Sequence, residues 1–132
     1  MLYLSSLLQK NPTYKYAVDR LFAALSSAGV EYQLIDGTRD IWMRDFMPVQ
    51  IRDGSFVSFR YEPSYLENAP ELQTSFKNDL STQFSFPIIY SDINLDGGNV
   101  VFSPSKEKVI ISERILTENP NYTQAELIKT LE

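Results

Sequence analysis

The stretch RDFMPVQIRDGSFVSFRY, residues 44–61, gives the main indication of the fold, because LDGGNVVFSPSKEKVIIS (95–112) follows the same plan. Each stretch has an aspartate as its second residue, bends into a strand, turns, and returns as a second strand that a helix follows. Asp45 matches Asp96, and Val49 matches Val100 at the same offset. A recurrence of this length is typical of a repeated, radially arranged architecture.

Strands and helices alternate outward from these stretches, which predicts an α/β fold. A short strand is expected over 2–8, followed by Asn11 as N-cap and Pro12 at the first helical position. Gly29 is placed to end that helix. The apolar face of the helix recurs with a period of 3.6 residues and comprises Tyr14, Ala17, Val18, Leu21, Phe22, Leu25 and Ala28.

The remaining elements are predicted from turn and cap signals. A strand is expected over 30–35, and Asp-Gly within 52–54 predicts a hairpin turn between two strands. A less regular helix is expected at about 71–82, and strands at 86–93, 100–103 and 109–112. Thr123 and Glu126 form a capping box that opens a final helix.

Composition limits the functions that the chain can have. Its 132 residues suit one domain, and 17 acidic against 12 basic residues, without a basic cluster, argue against nucleic-acid binding. No apolar run approaches the roughly 20 residues of a membrane span. The chain has no cysteine and no histidine, which excludes thiol nucleophiles, imidazole bases and most zinc sites within it. The lack of cysteine and of a signal peptide predicts a cytoplasmic location.

The segment DIWMRDFMP (40–48) places the only tryptophan, Trp42, close to Asp45. A carboxylate can accept two parallel hydrogen bonds from a guanidinium group, and an aromatic face attracts the same cation. The alternative is that Trp42 fills the core while Asp45 pairs with Arg44 or Arg39 at the surface. Spacing alone leaves both interpretations open.

The segment LDGGN (95–99) has two interpretations as well. Gly97 and Gly98 would let the backbone adopt positive φ and approach a ligand, with Asp96 and Asn99 as nearby polar groups. The same residues are also typical of a tight turn between strands. No phosphate loop, dinucleotide fingerprint or metal-ligand cluster is present, so neither a cofactor nor a metal is expected.

In combination and in order, these motifs resemble the guanidino-group-modifying, or pentein, superfamily. TRDIWMRDFMP (38–48) is similar to the Trp-x-Arg-Asp-x-x-Pro segment of agmatine deiminases and bacterial-type peptidylarginine deiminases, and NLDGGNVVF (94–102) resembles their second acidic Gly-Gly segment. VIISERILTENPNYTQAELIKTLE (109–132) looks like the stretch that precedes their catalytic histidine. The resemblance therefore implies the N-terminal portion of one pentein-type domain. That portion is a partial α/β propeller with about two ββαβ-type units, at about 1–70 and 71–132, and the start of a third.

The resemblance also implies a chemistry. In these deiminases a cysteine thiolate attacks the guanidinium carbon, ammonia leaves, and water hydrolyses the covalent intermediate, while a His-x-Asp segment supplies the acid and base. Asp45 matches the first guanidinium-binding carboxylate and Trp42 the aromatic residue beside it. The second segment, which lies near the site, corresponds to Asp96, Gly97, Gly98 and Asn99.

Two departures qualify this assignment. The 132 residues contain neither the nucleophilic cysteine nor the histidine, so the isolated chain is predicted to be inactive. Met47 occupies a place where the agmatine-type pattern has glycine, which argues against agmatine as substrate. The leading hypothesis is the N-terminal part of a guanidine deiminase. The alternatives are a non-catalytic guanidine-binding module and a structural or interaction domain that self-associates through open sheet edges.

Overall fold

A computed structural model describes residues 1–51, 54–105 and 107–132. The strands are β1 (Leu2–Ser5), β2 (Tyr32–Ile35), β3 (Val49–Gln50), β4 (Phe56–Arg60), β5 (Ile88–Asn94), β6 (Val100–Phe102) and β7 (Val109–Ile111). The α-helices are α1 (Leu7–Lys10), α2 (Lys15–Ser27), α3 (Met43–Phe46), α4 (Arg114–Glu118) and α5 (Gln124–Leu131). Single helical turns cover Pro12–Tyr14, Ser64–Leu66, Pro70–Leu72, Phe76–Leu80, Ser81–Gln83 and Gly97–Asn99.

Within the described ranges the strands form three small sheets and no closed barrel. β1 pairs with β2 in parallel, and β6 pairs with β7 antiparallel. The middle sheet has the order β3-β4-β5, in which β3 and β4 are antiparallel and β4 and β5 are parallel. The predicted α/β class is therefore confirmed, whereas the propeller arrangement and the unit boundaries stay predictions.

The two matching stretches have the same local structure. In the first, α3 leads into β3, which pairs with β4 with Val49 opposite Val57. In the second, the turn Gly97–Asn99 leads into β6, which pairs with β7 with Val100 opposite Ile111. The predicted hairpin turn at 52–54 includes Arg52 and Asp53, which lie outside the described residues.

The first long helix begins and ends where the sequence predicts. The Asn11 side chain accepts a hydrogen bond from the Thr13 N–H at 3.0 Å, and the turn that begins at Pro12 continues directly into α2. Gly29 ends the helix with a φ of 63°. Of the predicted apolar face only Val18 is buried, because α2 packs beside a sheet of just two strands.

Three elements differ most from expectation. The predicted strand 2–8 stops at Ser5, because the Ser5 hydroxyl accepts the Leu7 N–H at 3.1 Å and turns the chain into α1. The predicted helix 71–82 is broken into separate turns, because Ser75 caps a new turn by accepting the Asn78 N–H at 3.3 Å. Helix α4 was not predicted, since its five residues are too few for a clear periodic pattern.

The buried apolar side chains form two cores. The first consists of Ile35, Met43, Phe46, Tyr61, Phe76 and Leu80, and the second of Val49, Ile93, Leu95, Val100, Ile115 and Leu127. Met43 and Phe46 anchor α3 in the first core, and Val49, just beyond α3, enters the second. The segment 43–49 therefore contributes side chains to both cores. None of the helices in the described ranges has the length and apolar character that crossing a lipid bilayer requires.

Asn119 joins α4 to the end of β5. Its side-chain oxygen accepts the Asn94 N–H at 2.8 Å, and its amide donates to the carbonyls of Asn94 and Ile115, each at 2.9 Å. Asn119→Ala is therefore expected to destabilise the protein by about 3 kcal/mol, because buried backbone groups lose their partners. Urea denaturation measures this. The matched control Asn121→Ala, at an exposed position, is expected to change the free energy of unfolding by less than about 0.5 kcal/mol. Equal losses of stability in the two variants would contradict the role given to the Asn119 side chain.

Candidate guanidinium site

The backbone of Trp42 and Asp45 is joined at the start of α3. The Asp45 N–H donates to the Trp42 carbonyl at 2.9 Å, which closes a turn over these residues. Met43 and Phe46 are buried on the core side of that turn. Trp42 precedes that turn as its N-cap residue and is exposed, and Asp45, within the turn, is half-buried. The tryptophan and the carboxylate are therefore available together.

The glycines of the second motif allow its backbone to lie directly against α3. A Cβ at Gly97 would overlap the Arg44 carbonyl oxygen, and a Cβ at Gly98 would overlap the Asp45 carboxylate. Neither glycine has a positive φ, unlike Gly29, Gly37 and Gly54. The expectation that Gly97 and Gly98 serve positive φ is therefore wrong. They are small because two segments distant in sequence meet there.

Asp45 and Asp96 face the same glycine. The position of a Cβ on Gly98 that would overlap the Asp45 carboxylate also lies 3.7 Å from Oδ1 of Asp96. Burial, and then the negative charges of Asp96 and Asp40, raise the pKa of Asp45 above its ordinary value. The Gly98 N–H and the Arg44 guanidinium act in the opposite direction. The site is thus a half-buried concentration of negative charge.

The alternative interpretation of Trp42 and Asp45 is wrong on both counts. Trp42 is 62% exposed, so it does not fill the core. Arg39 forms its ion pair with Asp79 at 3.1 Å, and Arg44 donates to the Val100 carbonyl at 2.8 Å. In the part of the chain that the structure describes, Asp45 therefore has no ion-pair partner within 4.0 Å.

Asn99 differs from the other predicted site residues because its side chain is engaged within the fold. Its N–H donates to the Asp96 carbonyl at 3.1 Å and closes the glycine turn. Its side-chain oxygen accepts the Ser112 N–H at 3.0 Å, just beyond β7. Asn99 thus fixes the turn to the following hairpin, and its role in binding stays a prediction.

Two residues near Asp45 were not selected from the sequence. Asp40 belongs to the charge cluster around Trp42, and its negative charge acts on Asp45. Tyr61 is buried in the first core, and its hydroxyl lies 3.1 Å from that of Tyr65. Burial, followed by this hydrogen bond and the nearby carboxylates, raises the pKa of Tyr61 far above its ordinary value. Tyr61 therefore stays protonated, and no motif in the sequence links it to Asp45.

The arrangement suits an organic cation. Carboxylates accept charge-assisted hydrogen bonds from a guanidinium, and the exposed Trp42 ring offers a face on which such a plane can stack. Among the described residues no group of three or more His, Cys, Asp or Glu side chains has the geometry to hold a metal ion. The site thus offers a ligand negative charge, hydrogen-bond acceptors and an aromatic surface.

Comparison with known proteins identifies the family of the chain. No curated protein and no solved structure gives a significant match to the chain. A family model described as Porphyromonas-type peptidyl-arginine deiminase matches residues 6–132. The match spans nearly the whole chain and includes both motifs that meet at Asp45. The chain therefore belongs to the Porphyromonas-type peptidyl-arginine deiminase family.

Proposed function

We propose that Asp45 and Asp96 bind the guanidinium group of an arginine-type substrate, with Trp42 as the aromatic surface beside it. The observation that carries this proposal is the contact between α3 and the glycine turn, which brings the two carboxylates to one point. The function served is that of a guanidine deiminase, a C–N hydrolase that releases ammonia. The proposal includes a partial α/β propeller as the fold and the cytoplasm as the location.

Electrostatics favour a cation at this place. Two carboxylates that repel one another in a half-buried setting gain more from a bound guanidinium than a single exposed carboxylate does, because the cation relieves their mutual repulsion. The Gly98 N–H beside Asp45 lowers the pKa of this carboxyl and so favours the ionised form that attracts a cation.

Catalysis requires two further groups. Attack on the guanidinium carbon needs a thiolate, and proton transfer needs a base such as an imidazole within hydrogen-bond reach. The 132 residues contain no cysteine and no histidine. We therefore expect this chain alone to bind guanidinium ligands without hydrolysing them, and the reaction to need groups supplied from outside these residues.

Peptidyl arginine is the first ligand to test. The family description names peptidyl-arginine, and Met47, in place of the glycine typical of agmatine-type sequences, argues against agmatine. A non-catalytic guanidine-binding module remains a second candidate, favoured by the same absence of cysteine and histidine. The two functions differ in ammonia release after addition of a polypeptide that carries the missing groups. Release supports the deiminase, and binding without release supports the binding module.

The lone tryptophan provides a direct binding assay. Titration with Nα-acetyl-arginine amide is expected to change Trp42 fluorescence saturably at pH 7, whereas the uncharged citrulline analogue changes nothing. Because Asp45 attracts the cation only when it is ionised, affinity should fall as the pH drops through the pKa of Asp45, which lies above the ordinary 3.8 of aspartate. Equal responses to arginine and citrulline ligands, or no response to either, would exclude the proposed function.

A further inference from the structure

A polar cleft lies at the end of the middle sheet, where the parallel strands β4 and β5 both end with Arg60 opposite Asn94. Its volume is about 410 Å³, which is in the range of pockets that hold small ligands. The lining includes Arg60, Glu62, Ser64, Glu67, Asn94 and Glu118. These residues will be called the β4–β5 cleft.

The β4–β5 cleft borders the guanidinium site. Asp96 follows Asn94 by two residues, and two residues of extended chain span at most about 7 Å. A narrow crevice has Asp96 in its lining together with Asn94 and Glu118, which also line the cleft. A peptide whose arginine is bound at Asp45 and Asp96 therefore has its neighbouring residues within reach of the cleft.

Hydrogen bonds fix the walls of the cleft. The Asn94 side-chain oxygen accepts the Glu62 N–H at 2.9 Å, and its amide donates to the Glu62 carbonyl at 2.7 Å and to Oε2 of Glu118 at 3.3 Å. The Glu118 carboxylate also accepts the N–H of Ser64 at 3.0 Å and its hydroxyl at 2.7 Å. The segment after β4, the end of β5 and α4 are thus bonded to one another around the cleft.

Both arginines beside the cleft are engaged with glutamates. Arg60 forms an ion pair with Glu62 at 2.9 Å. Arg114, which lines the crevice, donates to Oε1 of Glu118 from Nε and Nη2, each at 3.0 Å. Its guanidinium carbon also lies 4.7 Å from the centre of the Tyr65 ring. Neither arginine is therefore free to receive an anionic ligand.

The charge that remains in the cleft is negative. Glu67 is exposed, and within the described ranges its carboxylate has no lysine or arginine nitrogen within 4.0 Å. Burial alone would raise the pKa of Glu118, but hydrogen bonds from Ser64 and the Arg114 guanidinium lower it below its ordinary value, so this group is ionised at neutral pH. The cleft lining thus has three carboxylates against one guanidinium, and the crevice adds one of each, Asp96 and Arg114.

We propose that the β4–β5 cleft is a subsite for a lysine or arginine side chain that lies one or two residues from the target arginine of a peptide substrate. Glu67 accepts charge-assisted hydrogen bonds from that side chain, and the exposed Glu62 carboxylate is the second acceptor. The preferred substrate is therefore an arginine within a basic segment, and acidic neighbours are repelled. This inference rests on the proposed function, because the arginine must first bind at Asp45 and Asp96.

Isothermal titration calorimetry with short peptides tests the subsite. Each peptide has acetyl and amide ends and one arginine among glycines. Lysine, norleucine or glutamate is placed in turn at each of the two positions before and the two positions after the arginine. At one position or more, lysine is expected to bind about fivefold more tightly than norleucine and glutamate about fivefold more weakly, as is typical of an exposed ion pair. Equal affinities for the three residues at all four positions would overturn the proposal.

Protein variants separate the cleft from the general negative charge of the chain, which is −5. Glu67→Gln should reduce the preference for lysine over norleucine from about fivefold to less than about twofold. Glu31→Gln is the matched control, since it removes the same charge at an exposed position just before β2, outside the cleft. It should keep the preference of the parent. If the two variants show the same preference, the selectivity does not come from the cleft and the proposal is wrong.

Nα-acetyl-arginine amide distinguishes failure of the subsite from failure of the proposed function. If this ligand binds and a neighbouring lysine has no effect, only the subsite is wrong. If neither this ligand nor any arginine peptide binds, both proposals are wrong. Peptides with citrulline in place of arginine and lysine retained show whether lysine binds at Asp45 instead. They are expected not to bind, and binding as tight as that of the arginine peptides would overturn the subsite.

Discussion

Asp45→Asn is expected to weaken binding of an arginine-type ligand on the order of 100-fold, because the cation loses one of its two charged acceptors. The same variant should unfold at a higher temperature, by about 3 °C at pH 7. Isothermal titration calorimetry with Nα-acetyl-arginine amide measures the first effect, and thermal denaturation measures the second. A loss of affinity together with a gain in stability would show that the ionised Asp45 carboxylate binds the ligand and destabilises the folded protein.

The expected gain in stability follows from the direction of the pKa shift. Burial and the neighbouring carboxylates raise the pKa of Asp45 in the folded protein. A raised pKa means that ionisation favours the unfolded state, so Asp45 opposes folding at neutral pH. The parent protein should therefore gain stability from this group as the pH falls from neutrality through the raised pKa, and Asp45→Asn should lack that gain.

Asp92→Asn is the matched control for Asp45→Asn. Asp92 is an exposed aspartate on β5, so its loss removes one negative charge without touching the site. We expect the control to bind within about twofold of the parent and to unfold within about 1 °C of it. If Asp45→Asn binds as tightly as Asp92→Asn does, Asp45 is not a guanidinium acceptor.

Gly97→Ala is expected to have the largest effect on folding, a loss of about 3 kcal/mol. Its Cβ would overlap the Arg44 carbonyl oxygen, which belongs to the backbone of α3 and cannot move without shifting that turn. The two motif segments would therefore separate. Urea denaturation gives the change in the free energy of unfolding.

Gly29→Ala separates crowding from backbone strain. Gly29 has open space around its Cβ position and a φ of 63°, so alanine there should cost about 1 kcal/mol from conformation alone. Gly98→Ala gives a third result, because its Cβ would meet the Asp45 side chain and not backbone. We expect Gly98→Ala to reduce ligand affinity more than stability. A Gly97→Ala variant no less stable than Gly29→Ala would show that the segments do not pack as described.

Local elements were predicted well because their signals act over a few residues. Asn11 and Gly29 bound the first long helix, and the Thr123–Glu126 capping box opens α5, as expected. The antiparallel pairings β3–β4 and β6–β7 also follow the apolar runs of the sequence. The structural role of Asn119 was not predicted, because nothing near it in sequence indicates that its amide bonds to the end of β5.

Residue patterns were enough to predict the α/β class and most of the local elements, and the order of the motifs was enough to predict the family. Those properties depend on caps, turns and hydrophobic spacing, which are short-range, and on motif order, which is linear. The exposure of Trp42 and the close packing of Gly97 and Gly98 against α3 are visible only in the folded chain. The same is true of the meeting of Asp45 and Asp96 at one glycine. Burial, charge repulsion and steric overlap depend on distances between atoms, and the chain brings these atoms together only when it folds.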